Sequence, residues 1–251
     1  MRKLVLAAAS GAALLLAAAG AAVAAGAVPA YVTAAVADTN RPDADRQRDA
    51  DRKPAEVLTF AGVHSGEKIG ELIPGGGYYT RLLSDIVGPS GHVYGLWPEG
   101  LAKARPQMLE GTSKIAPNVT AVTYGDASLG VPEKLDMVWT SENYHDLHNG
   151  APGGPPADVG KWNKAVFDAL KPGGVYLIED HSAGSNGTPD STSKLHRINP
   201  AQVKSEVEAA GFKLVGESDV LKNPADDHTA PVFSPAIKGH TDKLLFKFRK
   251  P

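Results

Sequence analysis

Along most of this chain, short runs rich in β-branched residues alternate with longer segments of helical spacing. From residue 54 onward, Gly and Pro separate the two kinds of segment. The short runs predict strands at residues 68–73, 92–97, 119–124, 135–140, 175–180, 212–218 and 243–250. The helical spacing predicts helices at residues 54–63, 78–87, 159–170 and 200–210. Strands that alternate with helices predict an α/β fold with a mainly parallel sheet.

Three further segments are assigned from their polarity. Residues 243–250 alternate apolar with mixed positions, which predicts a half-exposed strand that lies at an edge or runs antiparallel. Residues 149–156 and the polar residues 182–194 contain several Gly and Pro residues and predict loops.

The N-terminal pattern predicts export. Arg2 and Lys3 are the only charged residues before a long Ala/Leu/Val-rich run, and the sequence AVA at 35–37 offers an Ala-x-Ala cleavage site. We therefore expect a signal peptide at residues 1–37 and an exported, periplasmic protein with no stable membrane association. An uncleaved anchor in the inner membrane is the alternative, because no charge interrupts residues 4–30.

The amino-acid composition excludes several kinds of site and partner. Residues 38–53 are almost wholly polar and predict a linker or a surface helix that binds nothing by itself, and residues 54–251 form the predicted domain. The chain has 251 residues, 42% of them hydrophobic and none of them Cys, which excludes a disulfide framework, a thiolate metal site and a cysteine nucleophile. A formal net charge of −2 gives no reason to expect a nucleic-acid partner.

The glycine-rich turn at residues 74–77 (PGGG) follows a predicted strand and precedes a predicted helix. Such a turn brings bare backbone and a helix N-terminus to a ligand at the carboxyl edge of a sheet. Thr80 stands where dinucleotide-binding folds place a third Gly or Ala, which disfavours a nucleotide-dependent oxidoreductase. A tight connection without a ligand remains the alternative for the turn alone.

Three segments in order, ELIPGGGYYT at 71–80, GDA at 125–127 and LKPGG at 170–174, resemble the class I S-adenosylmethionine-dependent methyltransferases. The resemblance spans residues 54–251. More narrowly, PGGGYYT, NYHDL and the final FKFRKP are similar to an exported bacterial methyltransferase-like group. The resemblance implies a Rossmann-like, seven-stranded, mostly parallel sheet with helices on both faces, an antiparallel last strand and S-adenosylmethionine as the cofactor.

The resemblance also implies cofactor-binding residues. They belong to four parts of the family pattern: the acidic position before the turn, the turn itself, the adenine-facing position after the third strand, and the segment beside the methyl donor. In that order the residues are Glu71, Pro74, Gly75, Gly76, Gly77, Tyr78, Asp126, Ala127, Ser141 and Glu142. Two positions depart from the family pattern. Ile73 replaces the first glycine of the motif, and Trp97 replaces the acidic residue that holds the ribose. Glu99 is a possible substitute for that acid, and Trp97 is placed in the cofactor site as a ring that stacks on adenine.

Candidate catalytic groups follow the fourth and fifth predicted strands. His145 or His181 could accept a proton from a hydroxyl or amine, and Asp180 could orient an imidazole. Hydrogen bonds from these histidines to loop backbone are the alternative. Residues 145–148 (HDLH) together with Asp180, His181 and His196 also raise a metal site with nitrogen and oxygen ligands. We assign no metal ligand, because histidines three residues apart share a face only in a helix. Residues 226–228 predict a capped surface turn.

The leading hypothesis is therefore a methyltransferase that acts on a small-molecule substrate. Export weakens it, since S-adenosylmethionine is a cytoplasmic metabolite. The alternative is a non-catalytic or repurposed exported protein that keeps the fold and binds another small ligand, and the departures at Ile73 and Trp97 favour it.

Overall fold

The computed structural model describes residues 27–125, 128–149 and 157–251. Its centre is a seven-stranded sheet with the order β3-β2-β1-β4-β5-β7-β6. The strands are β1 Lys68–Leu72, β2 His92–Pro98, β3 Val119–Tyr124, β4 Leu135–Ser141, β5 Leu170–His181, β6 Lys213–Glu217 and β7 Lys243–Arg249. All neighbours are parallel except that β7 runs antiparallel to both β5 and β6. The predicted fold class is confirmed, including the antiparallel last strand.

Helices cover both faces of the sheet. In chain order they are α1 Ala30–Ala37, α2 Asp43–Arg46, α3 Asp49–Arg52, α4 Pro54–Ala61, α5 Tyr78–Val87, α6 Glu99–Ala104, α7 Pro106–Ser113, α8 Val159–Ala169, α9 Asp190–Leu195 and α10 Pro200–Ala209, with a 3-10 helix at His145–His148. Within the described ranges, no helix has the length and apolar character needed to cross a membrane.

Local sequence explains where the main helices begin and end. Pro54 occupies the first turn of α4, where its missing N–H costs nothing, and Gly62 ends that helix with a φ of 79°. The Asp158 side chain accepts a hydrogen bond from the Lys161 N–H at the start of α8. Asn199 caps α10 in the same way. These caps fix the helices that pack on the sheet.

Two apolar cores lie on the two faces of the sheet. One packs α8 and α10 on the sheet, and the other packs α1, α4 and α5 on the opposite face. Successive strand residues alternate between them, so that Leu244 and Phe246 belong to the first core and Leu245 to the second. The prediction of a half-exposed last strand is therefore wrong. β7 is buried on both faces because the two cores cover it, and it is not an edge strand because β6 pairs beyond it.

The fold extends upstream of residue 54. Val32 and Ala35 of α1 are fully buried against α4 and α5. The polar segment that follows α1 forms α2 and α3, in which Asp45 and Arg52 are buried. Of the two alternatives predicted for residues 38–53, a polar linker or a surface helix, the structure has short helices, and their buried charged side chains have partners on the rest of the fold.

One predicted loop differs from the structure, since residues 182–194 include most of α9. The segment that follows β2, for which no element was predicted, forms α6 and α7. The predicted surface turn holds a buried acid, since Asp226 accepts from both terminal nitrogens of Arg197 at 2.7 and 3.0 Å and both side chains are almost fully buried. Residues 150–156 of the other predicted loop lie outside the described ranges.

Candidate cofactor cavity and acceptor side

The glycine turn has a left-handed backbone at alternate positions. Ile73, Gly75 and Gly77 have φ values of 45°, 59° and 81°. Glycine adopts this conformation freely, whereas a β-branched residue is strained in it. Ile73 therefore replaces the first glycine of the motif in side chain only, because its backbone keeps the conformation that favours glycine.

A cavity of about 180 Å³ opens beside this turn. It lies at the carboxyl ends of β1 and β4, where ligands of parallel α/β sheets bind. Its lining residues are Arg48, Arg52, Glu71, Leu72, Ile73, Pro74, Gly75, Gly76, Tyr78, Tyr79, Ser141, Glu142 and Asn143. The structure thus brings together seven of the predicted cofactor-binding residues, which are Glu71, Pro74, Gly75, Gly76, Tyr78, Ser141 and Glu142.

The three turn glycines face different surroundings. A Cβ on Gly77 would lie 2.4 Å from Ile115 Cδ1, so this glycine is needed for packing behind the turn. A Cβ on Gly75 or Gly76 would meet nothing within 4 Å. The open side of the turn is therefore at Gly75 and Gly76, where a ligand can approach the backbone.

Glu142 is the centre of an ion cluster on the cavity wall. Its carboxylate lies 2.5 Å from Arg52 Nη2 and 3.2 Å from Lys243 Nζ, and Lys243 comes from the first position of β7. Burial alone would raise the pKa of Glu142, but the two cations outweigh it and lower that pKa to about 2. Glu142 also has a φ of 57°, so the cluster holds a strained backbone in place.

Glu71 is the other acid of the cavity. It is buried, and its Oε2 accepts a hydrogen bond from Thr80 Oγ1 at 2.6 Å. Burial raises the pKa of Glu71 to about 7, although the Thr80 hydrogen bond opposes this. Thr80, which departs from the dinucleotide motif, therefore serves as the hydrogen-bond partner of the acidic residue.

The N-terminal segment supplies the cations of the cavity, which sequence reasoning missed. The guanidinium groups of Arg41, Arg48 and Arg52 lie 5.5, 5.3 and 4.9 Å from the centre of the Tyr78 ring. The Tyr78 hydroxyl donates to Asp49 at 2.6 Å. No single helix carries these three arginines, since Arg41 precedes α2 and Arg48 lies between α2 and α3, so helical spacing in the sequence could not have predicted that they meet at Tyr78.

Two of the three predicted catalytic residues form a hydrogen-bonded pair. His145 Nδ1 lies 2.7 Å from Asp180 Oδ1, and the His145 backbone N–H donates to Asp180 Oδ2 at 2.7 Å. Burial lowers the pKa of His145, but the Asp180 carboxylate outweighs it and raises that pKa. His181 is separate, since its Nδ1 contacts Thr241 Oγ1 at 2.7 Å and burial lowers its pKa to about 4. Asp180 thus stabilises the charged form of the His145 imidazole, whereas burial favours the neutral form of His181.

The adenosine side of the predicted site is only partly described. Trp97 is fully buried and its indole N–H donates to Thr112 Oγ1 at 3.2 Å, so the predicted stacking of Trp97 on adenine is wrong. Glu99, the possible substitute acid, begins α6 and has its Oε1 3.6 Å from the place of a Cβ on Gly125. Asp126 and Ala127 lie outside the described residues.

The fold is that of solved methyltransferase structures. A SAM-dependent methyltransferase from Aquifex aeolicus superposes with a TM-score of 0.57 at 16% identity, over 82% of this chain and 93% of that chain. At this identity the likeness establishes the fold alone, which is the class I methyltransferase fold.

Two curated relatives, both named protein-L-isoaspartate O-methyltransferase, are 32% identical to parts of this chain. The Ignicoccus hospitalis protein matches over 80 residues, 31% of this chain and 36% of its own length. The Aeropyrum pernix protein matches over 136 residues, 53% of this chain and 44% of its own length. The matches thus span less than half of each relative. No protein-family model matches the chain.

Proposed function

We propose that this chain is an S-adenosylmethionine-dependent methyltransferase that acts on a small-molecule acceptor. The observation that carries the proposal is the cavity beside the glycine turn, which has bare backbone on one side and both acidic and guanidinium side chains on the others. The methionine end of the cofactor carries an ammonium and a carboxylate on one carbon. A cavity that offers both signs of charge fits that end.

Arg48 is the residue that we assign to the cofactor's carboxylate. It lines the cavity and its side chain is exposed. In the described ranges the other arginines around the cavity, Arg41, Arg52 and Arg81, are bound to carboxylates, whereas no ion pair engages Arg48. Its contact with the Tyr78 ring holds the guanidinium near the turn.

Glu71 is the residue that we assign to the cofactor's ammonium. Both carboxylate oxygens of Glu142 already contact cations, whereas Glu71 accepts only the Thr80 hydrogen bond among its contacts in the described residues. An ammonium nearby would favour the ionised form of Glu71, whose pKa burial raises to about 7. Cofactor binding near neutral pH should therefore release a proton from this carboxyl.

On the acceptor side, we assign to the His145–Asp180 pair the role of accepting the proton that the acceptor loses. When bound, S-adenosylmethionine supplies an electrophilic methyl group, which moves to an acceptor heteroatom as the carbon–sulfur bond breaks. The chain's own residues position the reactants, and positioning supplies much of the rate in such a transfer. His145 can take the proton that the acceptor loses, with Asp180 stabilising the charged imidazole.

Calorimetric titration of the full chain with S-adenosylmethionine and S-adenosylhomocysteine tests the cofactor site. Gly76→Leu is the blocking variant, because Gly76 has no left-handed φ and its Cβ would point into open space at the cavity. Gly111→Leu is the matched control, since Gly111 also has open space around it but lies on α7, outside the cavity lining. We expect binding to be lost in the first variant and kept in the second.

Arg48→Ala should weaken binding at least tenfold, because a hydrogen bond to a charged group contributes about 1.5–3 kcal/mol. Arg249→Ala is its control, as Arg249 is exposed at the opposite end of the sheet from Lys243. Absence of binding by the unmodified chain at millimolar ligand, or equal binding by Gly76→Leu and Gly111→Leu, would contradict the proposal.

The second candidate is an exported protein that binds a small ligand without turnover. The buried Trp97 favours it, because this residue removes the acid that would hold the ribose at the end of β2. The export predicted from the N-terminal sequence favours it too, since the cofactor is a cytoplasmic metabolite. Binding of S-adenosylhomocysteine without transfer of a labelled methyl group to any extracted small molecule would support this candidate.

A further inference from the structure

Three side chains of metal-ligand type meet beside the His145–Asp180 pair. His145 Nε2 lies 3.3 Å from Asp146 Oδ1 and 3.3 Å from His196 Nδ1, and the Asp146 and His196 atoms lie 3.7 Å apart. His145 and Asp146 belong to the 3-10 helix after β4, whereas His196 follows α9. Two separate segments therefore bring these atoms to one point. His148 is excluded from it, because its Nε2 contacts Glu206 at 3.2 Å.

The spacing of the three atoms suits an ion better than it suits hydrogen bonds. Good N–H···O hydrogen bonds span about 2.7–3.2 Å, and all three separations are longer. Ligands of a tetrahedral ion with bonds of about 2.0–2.1 Å lie about 3.3–3.4 Å from one another. Two of the three separations have this value, and the third is slightly longer.

The Asp180 carboxylate gives a second, independent observation. A carboxylate only accepts hydrogen bonds, so His145 Nδ1 carries a proton, and in the neutral ring the lone pair of Nε2 points at Asp146 and His196. A lone pair and a carboxylate oxygen repel unless a cation or a proton lies between them. A carboxylate behind the far nitrogen is the usual outer contact of a metal-binding histidine, because it fixes the tautomer and the ring.

The cluster is accessible on one side. The side chain of His145 is 3% exposed, whereas those of Asp146 and His196 are 42% and 34% exposed. Phe233, itself exposed, packs its ring 4.9 Å from the His196 ring and borders the opening with an apolar surface. An ion could thus enter from solvent and keep open positions on that side.

We propose that His145, Asp146 and His196 bind a divalent transition-metal ion such as Zn²⁺. Two imidazoles and one carboxylate form a ligand set of the nitrogen and oxygen type, with open positions that can take water or an oxygen of an acceptor. The two roles proposed for His145 belong to different states of the chain: without the ion its Nε2 can accept a proton, and with the ion bound it is a ligand. The proposal does not depend on the methyltransferase function, because metal binding can be measured without the cofactor.

The test uses the full chain after chelator treatment and dialysis, titrated with ZnCl₂ by calorimetry and with CoCl₂ by visible absorption. We expect about one ion per chain and the intense cobalt bands of a four- or five-coordinate site. His196→Ala and Asp146→Asn should abolish both signals. His148→Ala, on the same 3-10 helix but outside the cluster, should keep them.

Asp180→Asn tests the outer contact, and we expect a 10–100-fold loss of zinc affinity. Thermal unfolding of each variant without metal identifies loss of fold, and Asp146→Asn keeps the test decisive if His196→Ala fails to fold, because Asp146 is the most exposed of the three. The proposal is overturned if the unmodified chain takes up no zinc in the micromolar range, or if folded Asp146→Asn binds zinc as tightly as His148→Ala does.

Discussion

Removing the charge of Glu142 is the sharpest test of the electrostatics at the cavity. Its carboxylate contacts both Arg52 and Lys243, and these two cations hold its pKa at about 2. In Glu142→Gln the neighbouring cations stay buried without their anion. Breaking a buried pair in this way typically costs about 3–5 kcal/mol.

The pKa of Glu142 gives a second estimate of the stability that its ion pairs contribute. The difference between the ordinary value of 4.5 and about 2 corresponds to about 3 kcal/mol of stability. Because the pKa is lower in the folded state, the unfolded chain binds the proton more tightly. The contribution is therefore complete above pH 4.5 and is lost as the pH falls towards 2. Between pH 7 and about pH 3, roughly 2 kcal/mol of it should disappear.

Urea unfolding at several pH values between about 3 and 7 measures this effect. Glu142→Gln should be less stable than the unmodified chain by about 3 kcal/mol at pH 7, and the difference should narrow by about 2 kcal/mol at about pH 3. Glu208→Gln is the control, because Glu208 is exposed on α10. A difference that does not change with pH, or equal stability at pH 7, would refute the reasoning.

Three further predictions concern the fold. Ile73→Gly should be more stable than Ile73→Ala by about 1 kcal/mol in chemical denaturation, because only glycine relaxes the left-handed backbone; a more stable alanine variant would contradict the strain. Arg197→Met should lower the free energy of unfolding by about 3–5 kcal/mol, whereas Lys204→Met, in a more exposed pair, should lower it by less than about 1 kcal/mol; similar losses would contradict the role of burial. A chain that begins at residue 38 should melt at a lower temperature than one that begins at residue 28, which keeps α1, and equal melting temperatures would show that the helix contributes nothing.

Much of the fold follows from local patterns. The bounds predicted for α5 and β3 agree with the structure because an apolar face or a β-branched run is enclosed by Gly or Pro there. The neighbours of β7 could not be predicted, since Leu245 is buried in a core of residues distant in sequence, which its own alternating pattern does not encode. The helix α1 could not be predicted either, because its alanine-rich sequence is equally typical of an export signal.

The site was predictable where a motif occupies one stretch of chain. Gly75 and Gly76 of the turn line one cavity with Ser141 and Glu142, and His145 meets Asp180 as expected from the adjacent ends of β4 and β5. Arg52 was missed because its partner Glu142 lies ninety positions away in the sequence. Trp97 was misassigned because a side chain at the end of a strand can lie on either face of the sheet. Only the structure shows that its ring faces Thr112.

The antiparallel direction of β7 has a practical consequence for handling this protein. β7 begins at Lys243, beside Glu142. It ends at Arg249, opposite Val175, at the end of the strand that is farther from the cavity. A tag, dye or surface linker attached after residue 251 would therefore point away from the cavity. Immobilised by that end, the protein would leave its ligand entrance facing the solution, which is the orientation that surface-based affinity measurements need.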